Sequence, residues 1–245
     1  MLKLYHYTSI NNLALILKSR SFRFGRLDTV NDPTEGQAKD FPSLSKYIFV
    51  SCFTTNKEEN LALWNMYTPN MRGVRIEIDT PLFESYKFNE IDNYLVSENE
   101  CINEKKRYFI IEGKNEPYEI EYTNDEDLLR PSIIVDDGLQ VGNLAQYKRE
   151  IWSFEQEYRY RLGIVPIKRK KDSDFAMRYS SLMEKNIPPP MDGYLVKILE
   201  SSFRQMKIIC GPKIINGDKE IIESLINNYN KTAQLIESSL TGFIR

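Results

Sequence analysis

Apolar and polar positions alternate in short bursts along this chain, and helical periods separate the bursts. Residues 4–8 read as a strand: Leu4, His6 and Thr8 share one face, and Tyr5 and Tyr7 share the other. Thr8 or Ser9 caps a helix carrying Ile10, Leu13, Ala14 and Leu17 at i, i+3, i+4, i+7, which ends near Arg20. His6 thus lies just before a helix N-terminus, where free amides favour oxygen-rich or anionic ligands. Residues 21–26 form a second strand with Phe22 and Phe24 opposite Arg23 and Gly25. Asn31-Asp32-Pro33 signals a turn that opens a polar loop over 31–45 with a short helix. Residues 47–53 are apolar and β-favouring, a central strand. A short helix over 60–67 carries Leu61, Trp64 and Tyr67. Val74, Ile76 and Ile78 alternate with Arg75, Glu77 and Asp79 in a half-buried strand.

The middle of the chain carries weaker signals. Residues 118–123 read as a strand, 124–127 as an acidic loop and 144–151 as a helix. A long strand follows over 154–165. Short strands over 195–199 and 207–210, an amphipathic helix over 218–229 and a returning strand over 233–236 complete the pattern. Pro188-Pro189-Pro190 is a stiff connector. Many strands, few helices and no regular β-α alternation predict one α+β domain over 1–245, its sheet mostly antiparallel and its helices flanking, with an elaboration over about 84–145.

Composition narrows the function. A net charge of −2 supplies no global field to draw in nucleic acid, and the run Lys168-Arg169-Lys170-Lys171 reads as a solvated loop. Cys52, Cys101 and Cys210 are widely spaced and odd in number, so neither a zinc site nor a disulfide framework is indicated. Nothing resembles a signal peptide or a membrane span, and a reduced cytoplasm is the expected setting. A single histidine rules out His-rich metal sites, and the chain lacks G-x-S-x-G, P-loop and Rossmann glycine patterns.

Three features remain as candidate chemistry. His6 is either a satisfied half-buried residue or a ligand contact. In the 154–165 strand, Glu155, Glu157, Arg159 and Arg161 fall on one face and Phe154, Gln156, Tyr158 and Tyr160 on the other. Four alternating charges make either an exposed ladder of cross-strand pairs or the wall of a polar cleft. Asp28, Asp32 and Glu35 surround the Asn-Asp-Pro turn, as side-chain caps or as ligands for a divalent ion in a nuclease that would also use Glu157.

Several segments together resemble a known family. Leu4-Tyr5-His6-Tyr7-Thr8-Ser9, Asn31-Asp32-Pro33-x-Glu35, Ser51-Cys52-Phe53, Leu63-Trp64-x-x-Tyr67 and Gly73-Val74-x-Ile76 are similar, in order, to blocks of the bacterial and phage family called domain of unknown function 2971. Lys148-x-x-x-Trp152-x-x-Glu155-x-Glu157-x-Arg159 and Ile209-Cys210-Gly211-Pro212 fit it too. Some members of that family are associated with abortive infection, a form of phage defence. The family in turn resembles, more distantly, the ADP-ribosyltransferase superfamily, which binds NAD in a cleft of two small antiparallel sheets.

That resemblance implies an ADP-ribosyltransferase-like split sheet, NAD as substrate, and a protein or nucleic-acid acceptor. It also implies a set of roles. His6 contacts a ribose hydroxyl. The backbone of Tyr7 and Thr8 meets the nicotinamide amide, although the usual residue after the histidine is glycine and not tyrosine. Tyr67 or Trp64 stacks on the ring. Ser51, Glu155 and Arg159 complete the binding set, and Glu157 is the catalytic carboxylate that holds the ribose of the bond to be cleaved. Cleavage passes through an oxocarbenium-like state that needs a nearby carboxylate and no metal. A binding or sensing module of the same fold is the non-enzymatic alternative. The enzyme reading requires that His6 and Glu157 face the same cleft, close enough for one dinucleotide to touch both; if they lie on opposite sides of the sheet, it fails.

Overall fold

The computed structural model describes residues 1–244 except 42, 89–90, 102–106, 136–137, 140–141, 143, 168–180 and 182–183. The basic run 168–171 lies outside the described residues. The main sheet has ten strands, numbered here in chain order. They are β1 (Lys3–Thr8), β2 (Ser21–Arg26), β3 (Ile48–Thr54), β4 (Val74–Asp79), β5 (Phe109–Glu112), β6 (Tyr118–Glu119), β7 (Glu157–Val165), β8 (Gly193–Lys197), β9 (Lys207–Cys210) and β10 (Gln234–Ile236). The lateral order is β8-β2-β3-β1-β4-β9-β10, with β7 on β3 and both β5 and β6 on β7. All pairs in this sheet are antiparallel except β9 with β10. The fold is mixed α+β with a mostly antiparallel open sheet and a few helices.

β3 is where the sheet divides. One of its edges pairs along its length with β7, from Gly163↔Ile48 to Glu157↔Thr54. Its other edge is shared: Phe49 and Val50 pair with β2, while Thr54 alone pairs with Tyr5 of β1. β1 then diverges and runs in full register with β4. A wedge therefore opens between β1 and β3 at residues 51–53.

Helix α1 (Ile10–Ser19) forms where the apolar period predicts it. The Ser9 hydroxyl accepts from the Asn12 amide, and Arg20 closes the helix in the left-handed conformation. The hydroxyl thereby takes an amide that the sequence offered to a ligand near His6. α1 and the C-terminal helix Asn216–Tyr229 bury Leu13, Leu17, Ile222 and Ile226 against one face of the sheet, with Leu4, Phe22, Phe24, Phe49, Phe53 and Ile76. Helix α2 (Leu61–Tyr67), capped by the Asn60 side chain, covers the other face and packs Leu63 and Trp64 on Tyr7 and Ile209. A second small cluster around Leu27, Val50 and Val165 lies on that same face. No helix among the described residues is long and apolar enough to cross a membrane.

Four expectations fail locally. Residues 154–165 are not one strand: Glu150–Glu155 is a 3-10 turn, and Gln156 adopts a left-handed conformation (φ 45°) before β7 begins at Glu157. Residues 144–151 are not a helix, since Tyr147–Arg149 is a strand paired in parallel with Glu121–Thr123. Residues 118–123 split into β6 and that separate strand. The acidic loop is a short helix, Glu126–Leu129, whose Asp127 amide is capped by Asp125. The 84–145 region, read as an elaboration of the same fold, supplies β5 and β6 to the sheet and Leu95 and Val96 to its core.

Gly73 at the head of β4 tests the packing. A Cβ there would lie 2.3 Å from the Thr8 carbonyl oxygen and 2.6 Å from Thr68 Cβ, and a backbone oxygen held in a ladder cannot swing aside. Gly73→Ala is expected to lower the unfolding free energy by about 2 kcal/mol in denaturant melts with an unchanged m value.

Candidate functional site

The face of the sheet covered by α2 carries an unusual load of charge. Glu157 and Arg159 of β7 are buried, with 5% and 1% of their surface exposed, so their alternation is not an exposed ladder. The Arg159 guanidinium clamps Glu157 with two bonds, Nε to Oε1 at 2.5 Å and Nη2 to Oε2 at 2.8 Å. Arg159 Nη1 bonds Glu35 Oε1 in the turn after Asn31-Asp32-Pro33. Lys148, also buried, donates to Glu155 at 2.5 Å and to Glu157 at 3.2 Å. The Tyr67 hydroxyl donates to the other oxygen of Glu155 at 2.6 Å. Three buried carboxylates thus face two buried cations.

Charge balance separates the acids. Burial pushes the Glu157 carboxyl up, but Arg159 and Lys148 outweigh it and hold the group down, to about 2. For Glu35 burial wins over the attraction of Arg159, so its pKa is raised, and its Oε2 has no hydrogen-bond partner. Glu157 is therefore held as a negative charge, and Glu35 is shifted in the opposite direction. Burial and the adjacent Glu155 keep the Tyr67 phenol protonated.

His6 fills the wedge between β1 and β3. Its Nδ1 lies 2.9 Å from the Cys52 carbonyl oxygen. A carbonyl only accepts, so Nδ1 carries the hydrogen and Nε2 carries a lone pair. Among the described residues no hydrogen bond engages that lone pair. Burial lowers the ring's pKa despite the Cys52 bond, so the imidazole is neutral at physiological pH. The ring packs against Phe22 and Phe53, at 5.3 and 5.4 Å between centroids.

Strand alternation sends His6 and Glu157 to opposite faces. Directly paired residues point the same way, so Tyr5, Thr54 and Glu157 share the α2 face, while His6 follows Leu4 to the α1 face. By strand face the requirement is therefore not met, whereas by cleft it is: one pocket at the wedge is lined by both. Its free volume, about 390 Å³, includes its open mouth. The lining comprises Tyr5, His6 and Tyr7 of β1, Cys52, Phe53 and Thr54 of β3, Leu63 and Tyr67 of α2, and Glu155 and Glu157.

Of the sequence-derived set, His6, Tyr7, Tyr67, Glu155 and Glu157 meet in this pocket, and four others do not line it. Thr8 is buried under Gly73. Ser51 is buried and its hydroxyl is unpaired. Trp64 is fully buried edge-on to Tyr7, with its indole nitrogen given to Glu59, so it is no stacking platform. Arg159 sits beneath the pocket as the clamp on Glu157. The tyrosine-led alternation reveals Tyr5 only in retrospect, and Lys148 was legible merely as a motif position.

The acids proposed for a metal have other partners. Asp28 pairs with Arg26, Asp32 caps Thr34, and Glu35 and Glu157 share Arg159. Among the described residues no group of three or more His, Cys, Asp or Glu is placed to hold a metal ion. No family model, curated protein or solved structure matches the chain.

Removing the Glu157 charge deprives the buried Arg159 of the carboxylate that holds it with two bonds and Lys148 of one of its acids. Glu157→Gln is expected to cost about 3–5 kcal/mol of stability at pH 7. A carboxylate whose folded pKa is depressed contributes stability that is full above its unfolded pKa and is lost as pH falls through the folded value. The deficit of the variant against wild type should therefore shrink between about pH 4.5 and 2, which urea melts across that range will show.

Proposed function

We propose that the wedge pocket binds the nicotinamide–ribose end of NAD and that the chain is an ADP-ribosyltransferase-like protein that cleaves the bond between them. The observation that carries the reading is the common pocket of His6, Tyr67, Glu155 and Glu157 at the division of the sheet. Tyrosine rings and two acidic side chains suit a cationic aromatic ring, and the nicotinamide of oxidised NAD is one. The neutral His6 offers Nε2 as an acceptor for a ribose hydroxyl. In this reading the charge of Glu157 meets the positive charge that develops on the ribose as nicotinamide leaves, and a preorganised charge favours that state.

In this reading the broken bond joins the nicotinamide nitrogen to the ribose carbon, and its electron pair leaves with nicotinamide. Water or an acceptor, protein or nucleic acid, then attacks the carbon and releases a proton. Membership of the domain of unknown function 2971 family, a role in phage defence or as a toxin, and a cytoplasmic setting belong to the same proposal.

A second reading is favoured by one observation: both oxygens of Glu157 are already engaged by Arg159 and Lys148. A module that binds NAD or ADP-ribose without turning it over needs no freer carboxylate.

Incubation with NAD and a lysate as acceptor source, with nicotinamide measured, separates the two. Turnover predicts nicotinamide release that falls at least about 100-fold in Glu157→Ala. Equal rates in wild type and variant would remove Glu157 from the chemistry. A rise in melting temperature with ADP-ribose and no nicotinamide release would select the binding module.

A further inference from the structure

Arg75 is a buried cation without a carboxylate partner among the described residues. Only 6% of its surface is exposed. Among the described residues, the other buried cations, Lys148 and Arg159, each hold two or more acids. Arg75 instead gives Nη1 to the Lys57 carbonyl oxygen at 3.0 Å and lies over the rings of Tyr5 and Tyr7, at 4.5 and 5.8 Å from their centroids. Its Nε is buried and has no hydrogen-bond partner among the described residues. Two acids that act on the tyrosines beside Arg75 are committed elsewhere. Glu59 accepts from Trp64, Ser238 and Ser239, and Glu77 accepts from Lys3 and Lys207.

A lone buried guanidinium with an idle N–H is costly, since neither ring faces nor a neutral carbonyl supply the missing charge. An oxyanion does. The guanidinium fork matches two oxygens of a phosphate, and a charge-assisted bond is about twice as strong as the bond to a neutral carbonyl that it would replace. The covering segment is the irregular stretch between β3 and α2 that contributes Lys57. The Lys57 side chain is exposed and forms no ion pair among the described residues.

Position gives the site a use. Arg75 pairs across the ladder with Tyr7, so it points to the same face as Tyr5 and Tyr7, which line the pocket. Across the face the order is Arg75 on β4, the tyrosines on β1, Thr54 on β3 and Glu157 on β7. Three strand spacings of about 4.8 Å separate β4 from β7. We propose that Arg75 is an oxyanion site of phosphate class, one strand beyond the pocket, and that the natural ligand carries an apolar or cationic head at Glu155–Glu157 and a phosphate at Arg75. The anion site does not depend on NAD cleavage, and nicotinamide release could fail while phosphate still binds.

The test is titration of inorganic phosphate into the full chain at constant ionic strength, with sodium chloride as control. The Arg75 Nε–H signal, assigned through its own backbone amide by NMR, is expected to shift saturably with phosphate and not with chloride. The melting temperature is expected to rise with phosphate in wild type and to stay flat in Arg75→Met. An Arg75 Nε–H signal indifferent to phosphate overturns the proposal even if Arg75→Met does not fold. Equal phosphate stabilisation of wild type and a folded Arg75→Met overturns it as well.

Discussion

The Glu157–Arg159 clamp is the interaction on which the site rests. Five segments converge on it and its neighbours: the Asn31-Asp32-Pro33 turn through Glu35, the Tyr147–Arg149 strand through Lys148, the 3-10 turn through Glu155, helix α2 through Tyr67, and β7 itself. Burying such a set brings little net stability, because desolvation cancels much of the attraction. What it does supply is placement. A buried charge without its partner is so costly that each segment has one acceptable position. The two small apolar clusters of this face lie around Trp64 and around Val50, so the ions join them across the middle.

The wedge between β1 and β3 turns that frame into a pocket. Where β1 leaves β3, the Cys52 carbonyl loses a ladder partner, and the His6 ring supplies one. The same departure opens a passage to the carboxylates on the other face. A residue directed to one side of the sheet and an acid directed to the other come to line one cavity. A flat continuous sheet would keep them apart.

Much of the outer frame was legible from periodicity. β1, α1, β2, α2, β4 and the C-terminal helix each carry a two- or 3.6-residue pattern, and β3 and β9 read as short apolar runs. The middle was not legible, because its strands are two to four residues long and take their stability from partners far along the chain. Gln156 shows a second limit. A single left-handed residue detaches Glu155 from β7, and an alternating pattern cannot report it. The third limit concerns burial. Alternating Glu and Arg read as solvent-facing unless the compensating charges are known, and Glu35 lies 124 residues from Arg159. Within the site, the residue types were legible and their division of labour was not: Arg159 holds Glu157 from below, and Trp64 is core.

His6 offers the most direct measurement, because as the only histidine it gives one unambiguous imidazole signal. Nitrogen-detected NMR of the ring, with and without NAD, reads both its tautomer and its contact with ligand. The account predicts a neutral ring protonated at Nδ1, with a pKa below the ordinary histidine value, whose Nε2 resonance moves when NAD is added. A ring that titrates at the ordinary value and ignores NAD would contradict it.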